Sequence, residues 1–173
     1  GTTSSDLNTT PSAFQQSYNS SNTLSPDGFI TTIDNNADSI LFSTYFGTDL
    51  YDQVFFIDVT KNDQVHVLGQ TNDTSNFFIK NSTISTQKSG QFISTLSSSL
   101  SSLIRSSAIG SGKGTPDISP TAFMVDLCNS YYLSGWGSSI NGQLSTLNLP
   151  TSDSAYQIPT DGNDFYFMVI KIY

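Results

Sequence analysis

Apolar residues along the chain come in short runs of β-branched and aromatic side chains, separated by Gly, Asn, Asp, Pro and Ser. This pattern is typical of β-strands joined by tight turns. The only segment that resembles a helix, residues 94–105, is rich in Ser and lacks a continuous apolar stripe. The sequence therefore predicts an all-β fold with nine strands, at Gly28–Ile33, Ser39–Phe46, Gln53–Val59, Gln64–Gly69, Phe92–Leu96, Ser102–Ile109, Thr121–Leu127, Ser130–Gly135 and Phe165–Ile172.

An internal repeat groups these strands. Segment 29–47 aligns on segment 92–110 without a gap, so that Phe29 matches Phe92 and Gly47 matches Gly110. Two lead-in segments also align, Ser12-Ala13-Phe14-Gln15 and Ser154-Ala155-Tyr156-Gln157. The repeated unit contains four strands. Tandem four-stranded units are typical of β-propeller blades, which pack face to face on their neighbours.

A second match extends the repeat through a hairpin. Segment 54–71 aligns on segment 122–137 if the second hairpin is shortened by two residues, and Asp58 then matches Asp126. Recurrence of an Asp at one strand position favours a repeated structural hydrogen bond over acid–base chemistry.

The repeats divide the chain into two full blade-like units and the start of a third. The predicted segments are a linker and lead-in at 1–27, unit 1 at 28–71, a linker at 72–91, unit 2 at 92–137, a linker at 138–164 and the first strand of a further unit at 165–173. Two blades cannot close a ring. We therefore expect the chain to be a portion of a larger propeller, or to complete its sheets against another chain.

The repeat motifs resemble a known family. Those of the first unit are Thr10-Pro11-Ser12-Ala13-Phe14-Gln15, Asp27-Gly28-Phe29-Ile30, the run LFSTYFG at 41–47 and the run VHVLGQT at 65–71. In that order they are similar to the bacterial β-propeller repeat known as SBBP. The second unit, with segment 117–129 and Ser134-Gly135-Trp136-Gly137, and the segment 160–166 are similar to large gliding-motility-associated proteins that leave the cell by type IX secretion. The resemblance implies an extracellular or bacterial outer-surface location and a role in gliding or attachment.

Composition excludes two classes of partner. The chain has 14 Asp and Glu against 6 Lys and Arg, which gives a net charge of −8, and its basic residues are scattered singly. Nucleic-acid binding needs clustered Lys and Arg, and no apolar run approaches the roughly 18 residues of a membrane-spanning helix. We therefore expect no nucleic acid and no membrane insertion. The expected partners are other blades of the same longer chain, neighbouring subunits, and cell-surface glycans.

Few residues could carry out catalysis. His66 is the only histidine, and it alternates with Val65 and Val67, which predicts a packing or surface residue on the opposite face of its strand. The only cysteine, Cys128, lies in a predicted hairpin turn. Ser-His-Asp, Cys-His and zinc sites need more of these residue types than the chain contains. The sequence therefore predicts a protein that is not an enzyme.

Two weaker patterns indicate ligand binding. The aromatic residues Tyr131, Tyr132 and Trp136, expected to be exposed, would form a platform for a sugar, although blade packing is the commoner use of such residues. The turn with Asp161, Asn163 and Asp164 offers oxygen ligands for calcium, which is the one cofactor that the sequence suggests.

Together with the resemblance, these patterns predict a non-catalytic segment of a secreted cell-surface repeat protein with a structural or adhesive role. Two alternatives stay open. One is a calcium-dependent carbohydrate-binding module, and the other is part of a secreted propeller hydrolase.

Overall fold

The computed structural model describes residues 1–20, 24–82, 84–138, 143–156 and 160–171, and within these ranges it contains strands and no helix. Its nine strands are β1 (Gly28–Ile33), β2 (Ile40–Phe46), β3 (Asp52–Val59), β4 (Val65–Thr71), β5 (Gln91–Leu96), β6 (Leu103–Ile109), β7 (Ser119–Val125), β8 (Tyr131–Trp136) and β9 (Phe165–Ile170). All nine predicted strands are confirmed, and their described ends shift by at most two residues. Ile172 and Tyr173, at the predicted end of the last strand, and Gln157 of the repeated lead-in lie outside the described residues.

The strands form three antiparallel sheets, none of which closes into a barrel. Sheet 1 contains β1 and β2, sheet 2 contains β3 to β6 in chain order, and sheet 3 contains β7 to β9 in chain order. Sheet 2 lies between the others, because β3 contacts β1 on one side and β7 on the other. Both faces of sheet 2 are therefore covered along β4 and β5, where every residue is buried.

The sheets do not begin and end where the sequence repeat does. Segment 28–71 supplies both strands of sheet 1 and the first two strands of sheet 2, while segment 92–137 supplies the rest of sheet 2 and the start of sheet 3. The four-stranded sheet runs from Asp52 to Ile109 and spans the segment 72–91. The sequence repeat gives the length of the repeated unit, but it does not show which strands are hydrogen-bonded into one sheet.

The gapless repeat is confirmed in atomic detail. In the β1–β2 hairpin Ile33 pairs with Ile40 after a register irregularity, and in the β5–β6 hairpin Leu96 pairs with Leu103 after the same irregularity. Each adjoining turn places one residue at positive φ, Ala37 at 60° and Leu100 at 54°. The sequence offset that matches Phe29 with Phe92 also matches each of these positions with its counterpart in the second hairpin.

The second match needs a correction. Pairing places Gly69 opposite Val54 and Gly135 opposite Pro120, each beside a bulge, so the two hairpins align at one constant offset and neither is shortened. Asp63 and Asn129, which the match of Gly69 with Gly135 also aligns, both have positive φ. Asp58 therefore corresponds to Met124, not to Asp126, because the two-residue gap that matched the two Asp residues has no counterpart in the strand pairing.

Two apolar clusters hold the sheets together. The cluster between sheets 1 and 2 has three stacked or tilted Phe rings among aliphatic side chains. Phe92 stacks on Phe78 with ring centroids 3.9 Å apart and packs against Phe46 at 5.7 Å. The ring of Phe92 also covers Gly69, where a Cβ would lie 2.2 Å from its Cζ atom, so only glycine fits there. The cluster between sheets 2 and 3 is mainly aliphatic, with Leu68, Ile93, Ile109, Ile118, Leu133, Leu149, Ile170 and the aromatic Tyr131.

Candidate functional site

A row of polar side chains crosses the face of sheet 2 that packs on sheet 3. Cross-strand pairing places Asp58 opposite His66, His66 opposite Thr95, and Thr95 opposite Arg105, so the row runs through all four strands. The remainder of this interface is the second apolar cluster. Polar groups in such surroundings need hydrogen-bond partners, and most of the row finds them.

His66 lies at the centre of the row and is 2% exposed. Its Nδ1 atom is 3.0 Å from Thr95 Oγ1 and 3.1 Å from the Tyr131 hydroxyl, and these two oxygen atoms are 2.9 Å apart. Its Nε2 atom is 3.3 Å from Thr60 Oγ1. Burial lowers the pKa of His66 to about 4, against an opposing effect of the Asp58 carboxylate. The imidazole is therefore neutral at neutral pH and joins the two sheets by hydrogen bonds. This confirms the predicted packing role.

The ends of the row differ in how well they are paired. Asp58 Oδ2 accepts a 2.7 Å hydrogen bond from the backbone N–H of Val125 in sheet 3. Arg105 Nη1 is buried without a hydrogen-bond partner among the described residues. The polar row thus has an acid, an imidazole and hydroxyl groups. His66 and Thr95 are buried between the two sheets, whereas Asp58 and Arg105 at the ends of the row are partly buried. These hydrogen bonds connect sheet 2 with sheet 3.

The three predicted aromatic ligand-binding residues do not share one surface. The expectation that Tyr131 is exposed is wrong: it is 5% exposed, because alternation along β8 directs it into the interface with sheet 2. Tyr132 lies on the opposite face and donates a 3.1 Å hydrogen bond to Asp126. Trp136 shares that face, is 52% exposed and meets Phe165 edge to face at 5.2 Å. Tyr132 and Trp136 are thus about 13 Å apart along the strand.

The predicted calcium residues bond within their own turn. Asp161 Oδ1 accepts a 2.9 Å hydrogen bond from the Asn163 backbone N–H, and Asp164 Oδ2 accepts one from the Thr160 hydroxyl. Throughout the described part of the chain, no three His, Cys, Asp or Glu side chains form a group suited to a metal ion. Calcium binding at this turn stays a prediction.

Other Asp-rich turns are closed by their own side chains. Asp34 Oδ1 accepts from two backbone N–H groups of its turn, at 2.9 and 3.2 Å, as expected for a tight turn. Asp126 Oδ1 accepts from the N–H groups of Cys128 and Ser130, both at 2.8 Å, and these bonds hold the pKa of Asp126 below its usual value. Cys128 is exposed in this turn. The predicted repeated hydrogen bond is therefore wrong: Asp58 bonds to the neighbouring sheet, whereas Asp126 bonds within its own turn, although both bonds are structural.

The connections between the sheets each contain one anchored carboxylate. In the β2–β3 connection, Asp52 Oδ2 accepts 2.6 Å bonds from both the N–H and the hydroxyl of Thr48. In the β6–β7 connection, Asp117 accepts from the N–H and the hydroxyl of Ser111, at 2.9 and 2.6 Å. Asp117 also pairs with Lys113 at 3.2 Å, which is the one ion pair in the part of the chain that the structure describes.

The first connection contains a second buried carboxylate, that of Asp27. Its Oδ2 accepts from the Gln15 amide at 3.1 Å and from the Asn19 N–H at 2.9 Å. Asp27 and Asp52 are both 0% exposed, and the Oδ1 atom of each is buried without a hydrogen-bond partner among the described residues. Burial raises the pKa of both carboxyl groups, and that of Asp52, with a further contribution from the charge of Asp27, rises to about 6.

Sequence reasoning missed this pair of carboxylates. A signal was present, because every charged side chain before Lys61 is an Asp. Asp27 and Asp52 stand immediately before or at the start of apolar strands, where a lone Asp is readily interpreted as a turn residue. Their burial depends on how sheets 1 and 2 pack, which the linear pattern does not contain.

No helix in the described residues is long and apolar enough to cross a membrane. No protein-family model matches the chain, and no curated protein matches it.

Proposed function

We propose that the chain is a non-catalytic structural or adhesive part of a longer, exported bacterial surface protein built from propeller-type blades. Sheet 2 supports this proposal because it is a four-stranded antiparallel meander packed on both faces by neighbouring sheets with related hairpins. Such tandem units bury their faces only against one another. Location at the cell surface and a part in gliding or attachment follow from the resemblance to SBBP-type and type IX secreted proteins.

The main support for the proposal is the exposed apolar outer face of sheet 3. When Gly135 is matched to Gly69, Trp136 corresponds to Gln70. Phe167 of β9 then corresponds to Ile93 of β5, because each pairs with the residue just before the matched Gly. At these positions sheet 2 packs against sheet 3. In sheet 3 the corresponding side chains are large, apolar and exposed. A contiguous apolar patch on a folded protein marks an interaction surface. Another sheet of the same repeat would cover this face as sheet 3 covers sheet 2.

The opposite end of the array has the same kind of open surface. Sheet 1 contains the equivalents of β5 and β6, and the side chains of β3 that face its open part are Phe55, Ile57 and Val59. All three are exposed. Strands equivalent to β3 and β4, added to sheet 1, would cover them.

An adhesive role fits the polar surface. Ser and Thr make up 50 of the 173 residues, and charged residues only 12%. Uncharged hydroxyl-rich loops on rigid sheets form many weak contacts, whose combined strength rises steeply with the number of copies.

An attachment assay tests the proposed function. Beads carry the chain at graded surface densities, and their retention under flow is measured on glass and on polysaccharide films, with an unrelated acidic protein as control. We expect retention to rise more than proportionally with density, and no product from pools of polysaccharides, peptides and esters. Retention equal to the control, or turnover of any pool, would contradict the proposal.

A carbohydrate-binding role is the second candidate, since Trp136 is half-exposed on the same face as Tyr132. Trp136 is the only tryptophan, so its fluorescence reports on this face alone. Oligosaccharides are titrated with and without a chelator. Saturable quenching that disappears in the chelator would favour the calcium-dependent module, and an unchanged spectrum favours the structural role.

A further inference from the structure

The junction of sheets 1 and 2 buries two negative charges without a positive one. Asp27 and Asp52 are fully buried, and among the described residues no Lys, Arg, His or α-amino nitrogen lies within 4.0 Å of either carboxylate. The chain before Lys61 contains no Lys, Arg or His that could approach them. Buried charges without a counter-charge are strongly destabilising. Protonation, or a cation from outside the chain, would neutralise the pair.

The two carboxylates lie against the same dipeptide, Gly47-Thr48. A Cβ at Gly47 would be 3.0 Å from Asp27 Oδ1, and the N–H of Thr48 donates to Asp52 at 2.6 Å. The backbones also meet, since the N–H of Asp52 donates to the carbonyl of Pro26 at 2.8 Å. Each carboxylate uses its Oδ2 atom for hydrogen bonds and keeps its Oδ1 atom buried without a partner. Each carboxylate thus keeps one hard oxygen atom buried and unpartnered at this junction.

The junction of sheets 2 and 3 shows how the fold neutralises the same position by itself. There, Asp117 has the role of Asp52 and pairs with Lys113. The gapless repeat places Gly90 at the position of Asp27, so the second carboxylate is missing. The first junction has one more buried acid, and its connection, residues 47–51, is four residues shorter than residues 110–118 and contains no Lys.

We propose that Asp27 and Asp52 bind one hard divalent cation, with Ca²⁺ as the reference ion, through their two unpartnered Oδ1 atoms. Carboxylate oxygens are the ligands that Ca²⁺ prefers, and backbone carbonyls and water complete its coordination. One divalent ion neutralises both carboxylates. It links the lead-in to β1 with the β2–β3 connection and so stabilises the contact between sheets 1 and 2.

Calcium titration of the full chain tests this site. After treatment with a chelator, the thermal midpoint and the heat of binding are measured as Ca²⁺ is added, with Mg²⁺ in a parallel series. We expect the midpoint to rise with ion concentration, because a ligand bound only by the folded state stabilises it. Asp27→Asn and Asp52→Asn should each weaken binding by about tenfold or more, since fewer charged ligands remain.

Matched variants locate the ion. Asp117→Asn alters the corresponding carboxylate at the second junction, and Asp161→Asn alters the turn predicted from sequence; both should keep the full response. If an Asn variant at the site fails to fold, Tb³⁺ luminescence sensitised by the neighbouring Tyr51 reports binding to the parent chain and its competition by Ca²⁺. Absence of any ion response, or a response that survives in both Asp27→Asn and Asp52→Asn, would overturn the proposal. Stabilisation by protons alone would overturn it as well.

Discussion

The two faces of sheet 2 are both buried along β4 and β5, but they are built in different ways. Toward sheet 1, strands β4 to β6 present mainly apolar side chains, with Phe92 stacked on Phe78 and tilted against Phe46. Ser94 and Ser106 add one buried pair of hydroxyl groups, with their oxygen atoms 2.7 Å apart. Toward sheet 3, sheet 2 presents a hydrogen-bonded row centred on His66, closed by Tyr131 from the neighbouring sheet. The difference shows that the extent of burial does not reveal which interactions stabilise an interface between sheets. The aromatic face gains stability from area, whereas the polar face depends on the positions of a few atoms.

The largest expected loss of stability comes from truncating one side chain on each face. Phe92→Ala removes a ring that packs on two others and covers Gly69, and we expect it to cost about 4 kcal/mol of the free energy of unfolding. Ile93→Ala, the next residue along β5, points into the other interface and should cost about 3 kcal/mol. Urea denaturation measures both. A larger loss for Ile93→Ala would contradict the ranking of the two faces.

The polar face should make stability depend on pH. The pKa of His66 is about 4 in the folded chain, lower than in the unfolded chain, so the unfolded state takes up a proton first as the pH falls. Proton uptake by the unfolded state lowers the free energy of unfolding. This loss is absent above the unfolded pKa of about 6.5, is complete below pH 4 and reaches at most about 3 kcal/mol. The charged and titratable groups that face the imidazole are Asp58 on β3, Arg105 on β6 and Tyr131 on β8.

A difference measurement isolates this effect. Asp52, whose pKa is raised to about 6, contributes with the opposite sign, because its folded form gains a proton first. Subtracting the pH profile of His66→Gln from that of the parent chain removes this contribution. We expect the difference in the free energy of unfolding between the parent chain and His66→Gln to narrow as the pH falls from 6.5 to 4. A constant difference would mean that His66 titrates in the folded chain as it does in the unfolded one.

The sequence predicted the strands well because each one is a short apolar run bounded by turn residues, and this depends on local chemistry. It did not predict the polar row, since β4 and β5 are buried on both faces and lack the alternation that shows which side is covered. His66 and Thr95 therefore looked like ordinary strand residues, and Tyr131 like a surface residue. The match of Asp58 with Asp126 failed because it needed a gap of two residues, whereas the two hairpins have the same length and the same bulge.

The smallest expected effect tests whether one hydroxyl matters more inside the polar face than outside it. Tyr131→Phe removes the oxygen atom that contacts both His66 and Thr95, while the ring keeps its packing against Phe123. We expect a loss of about 1 kcal/mol in the free energy of unfolding, since a buried hydrogen bond contributes about that much.

Tyr132→Phe is the matched control for this substitution. Its hydroxyl bonds to Asp126 at the other face of the same strand, where the two residues are only partly buried. A solvent-screened bond of this kind should contribute less than about 0.5 kcal/mol. Equal losses in the two variants would show that the polar row is no stronger than a surface hydrogen bond. The contact between sheets 2 and 3 would then depend on its aliphatic cluster, as the other contact depends on its aromatic one.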